Sequence, residues 1–95
     1  MTGISFLHRG RKVRLAPDMR LLLEIESELG PLPALNRAFA QDWRLADLVS
    51  LVHMLLESAG IDEDYLALGD EMLESGLGRY LDAAREFLGV VTGRP

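Results

Sequence analysis

Residues 45–59 read LADLVSLVHMLLESA, and this stretch decides the fold. Leu45, Leu48, Val49, Val52, Leu55, Leu56 and Ala59 recur at the three- and four-residue steps of one helical face. At about 100° per residue they fill one contiguous sector, broad enough to be a core face. Leu51 falls at the edge of that sector, and Met54 points roughly away from it. A helix this apolar needs neighbours on its main face, so the rest of the chain must supply them.

Upstream, Ile4–His8 and Arg11–Leu15 read as two short strands around Arg9-Gly10. A two-residue turn puts Phe6 opposite Val13 and Ile4 opposite Leu15, all on one face. Arg-Gly is a poorer turn pair than Asn-Gly, which leaves a longer loop open. Pro17-Asp18 then opens a helix over 18–29, with Asp18 as N-cap and Leu21, Leu22, Ile25 and Leu29 on its stripe. Gly30-Pro31 ends it. Glu26 lies on the edge of this apolar stripe, either reaching water or serving an Arg or a backbone donor. A short helix is expected over 34–40, and Trp43, the only tryptophan, anchors the junction to the central helix at 44–59.

Downstream, Gly60 closes the central helix and Asp62 is the expected cap of a helix over 63–75. Tyr65, Leu68, Met72 and Leu73 give it a weaker face, and Gly69 invites a close approach. Leu77, Tyr80, Leu81, Ala84, Phe87, Leu88 and Val91 mark a last helix over 77–91, with Thr92–Pro95 expected to fray. The expected fold is therefore mainly α with a short N-terminal β-hairpin (α+β). Residues 1–95 would form a single domain, the hairpin at 4–15 packed on a small bundle of roughly four to five helices.

Composition narrows the function by exclusion. The chain has no cysteine, which removes disulfides, thiolate metal sites and Cys nucleophiles. The opening MTGISFLHRGRKVR reaches charge at Arg9 before any long apolar segment, so no signal peptide is expected. No run approaches the roughly 18 apolar residues of a membrane span. Net charge is −5, but unevenly spread. Arg9, Arg11, Lys12, Arg14 and Arg20 crowd the start, whereas Glu57, Asp62, Glu63, Asp64, Asp70, Glu71 and Glu74 crowd residues 57–76. These are solvated faces, or ends that attract within or between molecules, or a weak basic footprint for nucleic acid.

Catalytic and cofactor templates fail one by one. His8 and His53 have no HExxH spacing and no third metal ligand nearby. Asp62, Glu63 and Asp64 begin like a calcium loop, but Leu66 and Ala67 stand where an oxygen donor and a glycine are needed. Gly76-Leu77-Gly78 is too short for a dinucleotide loop, and Ser50 and Ser75 have no evident base. Glu74-Ser75-Gly76 is a poor substitute for the Asp-Ser-Leu of a carrier domain. No catalytic residue, metal site or cofactor is expected, and the chain does not read as an enzyme.

Arg11–Leu15 entering a capped helix, then Leu22, Ile25-Glu26, Leu29-Gly30, Asp47-Leu48 with its leucines, and the acidic Asp62–Asp64 form an ordered series. In this order, from Ile4 to Val91, the chain resembles the small tail-assembly proteins of gene transfer agents and related phages, often described as tail assembly chaperones. Arg44 departs from the pattern, which tends to place Ser or Thr as the N-cap there; Asp42 is the substitute. The resemblance implies a non-enzymatic role in building a phage-like tail in the bacterial cytoplasm. It implies binding to the tape-measure protein, to tail-tube subunits, or to both. Some members are described instead as tube components; one hairpin among helices favours the accessory role, since a tube ring ordinarily needs a larger sheet. The alternative is a helical regulator or nucleic-acid adaptor using the basic hairpin, against which the net negative charge stands. Leu7, Leu23, Leu51 and Met54 are surplus to the core pattern. They are either scattered surface residues or a seat for a partner helix or self-association.

Overall fold

The computed structural model describes residues 4–93. Two strands, β1 (Ile4–His8) and β2 (Arg11–Leu15), precede five helices: α1 (Met19–Leu29), α2 (Leu32–Ala40), α3 (Leu45–Ser58), α4 (Tyr65–Ser75) and α5 (Leu77–Val91). The strands pair antiparallel with Phe6 opposite Val13 and Ile4 opposite Leu15, the expected register. All four side chains are buried, because β1 lies on α5 and β2 on α3. A hairpin this short is marginal alone, and the helices supply its apolar cover. The turn is a tight one: Arg9 and Gly10 take φ of 51° and 75°, the positive pair of a two-residue hairpin turn. Glycine enters that region freely; Arg9 does so against a steric cost.

α3 occupies the centre, flanked by α1, α4, α5 and β2. Leu48, Val49, Leu51, Val52, Met54, Leu55 and Leu56 are all buried, an arc of roughly 220° around its axis at about 100° per residue. The expectation that Leu51 and Met54 stand outside the core is therefore corrected: they are 0% and 8% exposed. One face was assumed to meet the core, but α1 lies against α3 as well, and its Glu24, Ser27 and Glu28 border Met54. The only open strip of α3 within this arc's gap is Ala46, Ser50, His53 and Glu57. α5 buries Tyr80, Ala83, Ala84, Phe87 and Leu88 against the same core, and Trp43 packs half-buried on its edge.

Helix ends show where local chemistry overrode pattern. Asp18 caps α1, its Oδ1 accepting from Leu21 N at 2.9 Å. α2 starts at Leu32, earlier than expected, and Glu26 Oε2 accepts from Leu32 N at 3.1 Å. Glu26 is thus exposed yet serves a backbone donor, standing in for the cap that Pro31 cannot provide. Asp42 does not cap α3; Arg44 holds that position without a side-chain hydrogen bond, its Nε 3.8 Å from Asp47 Oδ2. α4 is capped by Asp64, accepting from Ala67 N at 3.0 Å, rather than by Asp62. At the C-terminal end Thr92 does not fray: its hydroxyl donates to Leu88 O at 2.7 Å and accepts from Asn36 Nδ2 at 3.3 Å. Arg94 and Pro95, also expected to fray, lie outside the described residues.

Candidate functional site

The hairpin turn is tied to the far half of the chain. Arg9 Nε and Nη2 donate to the two carboxylate oxygens of Glu63, each at 3.1 Å, and Arg9 Nη1 lies 3.5 Å from Glu71 Oε1. His8 bonds the same Glu63 through Nε2, while its Nδ1 lies 2.9 Å from the Tyr80 hydroxyl. A carboxylate only accepts, so the His8 Nε2 carries a proton and donates to Glu63. His53 Nε2 donates to the backbone oxygen of Glu63 at 2.8 Å. The Arg9 hydrogen bonds, against partial burial and with help from His8, hold the Glu63 carboxyl below its ordinary range. With Glu63 held ahead of the helix by these contacts, Asp64 becomes the cap.

A carboxylate, an imidazole and a hydroxyl in series is an arrangement that can activate a nucleophile. Here the hydroxyl belongs to Tyr80, which is 0% exposed, and His8 is 3% exposed. Both are sealed from solvent, and the series fastens β1, the segment ahead of α4, and α5 together. Among the described residues, no group of three or more His, Asp or Glu side chains is arranged to hold a metal ion. Among the described residues no helix is long and apolar enough to cross a membrane.

The accessible chemistry lies on the other side of α4. Leu45, Ala46 and Val49 of α3 face Tyr65, Leu66, Gly69 and Leu73 of α4 across an apolar groove of about 280 Å³. Leu66 is 74% and Leu73 61% exposed, and Leu45 and Tyr65 are also exposed. These are four of the large apolar residues that the fold leaves uncovered, gathered in one place. Gly69 forms part of the floor, where a Cβ would meet only Val49 Cγ1 at 4.0 Å. Beyond Tyr65 lies a second cavity of about 400 Å³, walled by Glu24, Glu28, Glu57, His53 and Ser50. Tyr65 belongs to both; its hydroxyl lies 3.2 Å from Ser50 Oγ and donates to Ala46 O at 3.3 Å, which sets the ring as a partition.

The residues singled out in the sequence fare differently. Leu7 and Leu23 are exposed, on β1 and α1, elements that do not touch one another. Leu51 is core, while Met54 is buried in the core and also lines the second cavity. The groove was missed because Leu45 and Leu73 fit the core stripes of their helices and Tyr65 the stripe of its own. A usable signal existed in Leu66, Gly69 and Leu73, a glycine between two leucines seven positions apart on one face of a helix that also carries Asp70, Glu71 and Glu74.

Comparison with curated proteins and with solved structures finds no match. A family model does match, over residues 4–93, which takes in the hairpin and all five helices. The chain belongs to the family described as "Phage tail tube protein, GTA-gp10".

Proposed function

We propose that this member of a phage and gene-transfer-agent tail family acts as a tail assembly chaperone. It binds the tape-measure protein, tail-tube subunits, or both, in the bacterial cytoplasm where tails are built. The observation that carries this reading is the uncovered α3–α4 groove on a mostly helical body. The only sheet among the described residues has two strands, too little to contribute a wall segment of a β-ring by itself. A long helical tape measure exposes apolar seams before the tube closes around it, and a groove of this kind shields such seams. The nucleic-acid reading is weakened because Arg9 is taken up by Glu63 and Glu71, leaving only Arg11, Lys12 and Arg14 of the hairpin without an acidic partner among the described residues.

The test is co-expression with a tape-measure and a tail-tube protein from the same genome. Retention of either on the tagged protein through size exclusion is the expected outcome. Failure to retain both, with a helical circular dichroism spectrum confirming the fold, overturns the reading.

A further inference from the structure

We infer that the apolar groove and the acidic cavity beside it form one bipartite site for a basic amphipathic helix. This deepens the chaperone reading and rests on it for the biological partner, but its physical test does not require that reading.

Three features select the occupant. First, the site is built between helices, and neither strand of the hairpin borders it. An inserted segment therefore finds no sheet edge to pair with, and must satisfy its own backbone hydrogen bonds, as a helix does. Leu66 and Leu73, two turns apart, give that helix apolar ground about 10 Å long. Second, the adjoining cavity presents Glu24, Glu28 and Glu57. Among the described residues Glu28 has no cationic partner, Glu24 has only Arg20 at 4.0 Å, and Glu57 only His53 at 3.5 Å. Asp70 stands on the groove itself. Apolar residues seat the helix, and the carboxylates select lysine or arginine on its flank. Third, among the described residues there is no such helix to lend to a second copy. None of its helices carries more than two basic residues, and each already buries its apolar face.

The probe is a synthetic peptide of roughly 18 residues, with leucines at i, i+3, i+4 and i+7 steps and lysines along the flank. A twin carries glutamate in place of every lysine. The full chain is isotopically labelled and titrated with each. The basic peptide should bind, shifting the amides of Leu45, Tyr65, Leu66 and Leu73, and binding should weaken as salt rises. The acidic twin should not bind. Leu66→Asp with Leu73→Asp, both at exposed positions, should keep the unfolding midpoint while weakening binding about tenfold or more. Glu24→Gln, Glu28→Gln and Glu57→Gln together should lower affinity several-fold and flatten the salt dependence. Equal binding of both peptides, binding of neither, shifts confined to another surface, or undiminished binding by the leucine variant overturns the inference. So does a dimer in sedimentation that the leucine variant dissolves, since the groove would then belong to a second copy. Tail proteins retained equally by the leucine variant would remove this site and leave the chaperone reading standing.

Discussion

Arg9 and Glu63, 54 positions apart, meet side by side, two guanidinium donors on two carboxylate oxygens at 3.1 Å. This pair explains why a poor turn sequence makes a tight turn. The left-handed φ at Arg9 would favour Asn or Gly, but neither could reach Glu63. The charge imbalance along the sequence thus resolves partly within the molecule, basic turn against acidic helix start.

Glu63→Ala should destabilise the fold by about 1–3 kcal/mol, because it leaves the buried His8 Nε2 without its acceptor. A shift in the denaturant midpoint at neutral pH with an unchanged slope is the expected result. His8 and Glu63 should also couple in a double-mutant cycle, since they share one network.

The same carboxylate sets a pH dependence. Glu63 is held below its ordinary 4.5, chiefly by Arg9. A depressed carboxyl stabilises the fold above its unfolded value, and that contribution is lost as pH falls through the folded value. The stability gap between the natural chain and Glu63→Gln should therefore be full at neutral pH and shrink below 4.5. Thermal midpoints of both proteins between neutrality and strong acid measure it; a gap that widens with acid would contradict this assignment.

Sequence periodicity was sufficient for the hairpin register and the order of elements, because Phe6 with Val13 and the α3 stripe are local patterns. Cap choice at α4 was not local. Asp62 and Asp64 are equivalent in sequence, and the selection comes from Glu63 being held by His8 and Arg9 across the fold. The extent of the core was not local either. Periodicity gives the direction of one apolar face but not the number of neighbours, so Leu51 and Met54 read as spare when α3 in fact has cover on several sides.

Glu26 offers a small, clean test of helix capping. It accepts from Leu32 N but is exposed, so water competes for that donor. Glu26→Ala should cost about 0.5–1 kcal/mol, and Glu26→Gln, which keeps an oxygen acceptor, within about 0.5 kcal/mol. Midpoints from urea unfolding distinguish these from the larger loss expected of a buried partner.

Gly69→Ala should stabilise the protein by up to about 1 kcal/mol, the usual difference between the two residues inside a helix. The added methyl meets Val49 at an ordinary contact distance, so no strain offsets the gain. It also raises the groove floor. Higher thermal stability with weaker capture of a helical partner would show that the glycine serves the groove rather than the fold.

The sharpest contrast lies between two pairs of apolar residues on neighbouring helices. Leu51 is fully enclosed and Met54 is buried beside Glu24 and Glu28, so Leu51→Asp with Met54→Asp places one carboxylate among apolar side chains and another against like charges. Each such burial is expected to cost several kcal/mol, so the two together offset most of the about 5–14 kcal/mol available to a chain of this size. The double variant should therefore lose cooperative unfolding or lie close to its midpoint in buffer. Leu66→Asp with Leu73→Asp changes solvent-facing residues instead, and each should stay within about 0.5 kcal/mol of neutral. Circular dichroism melts of the two variants side by side decide the matter. If the α3 variant melts like the natural chain, Leu51 and Met54 are not core residues in solution, and α1 does not cover α3 as described.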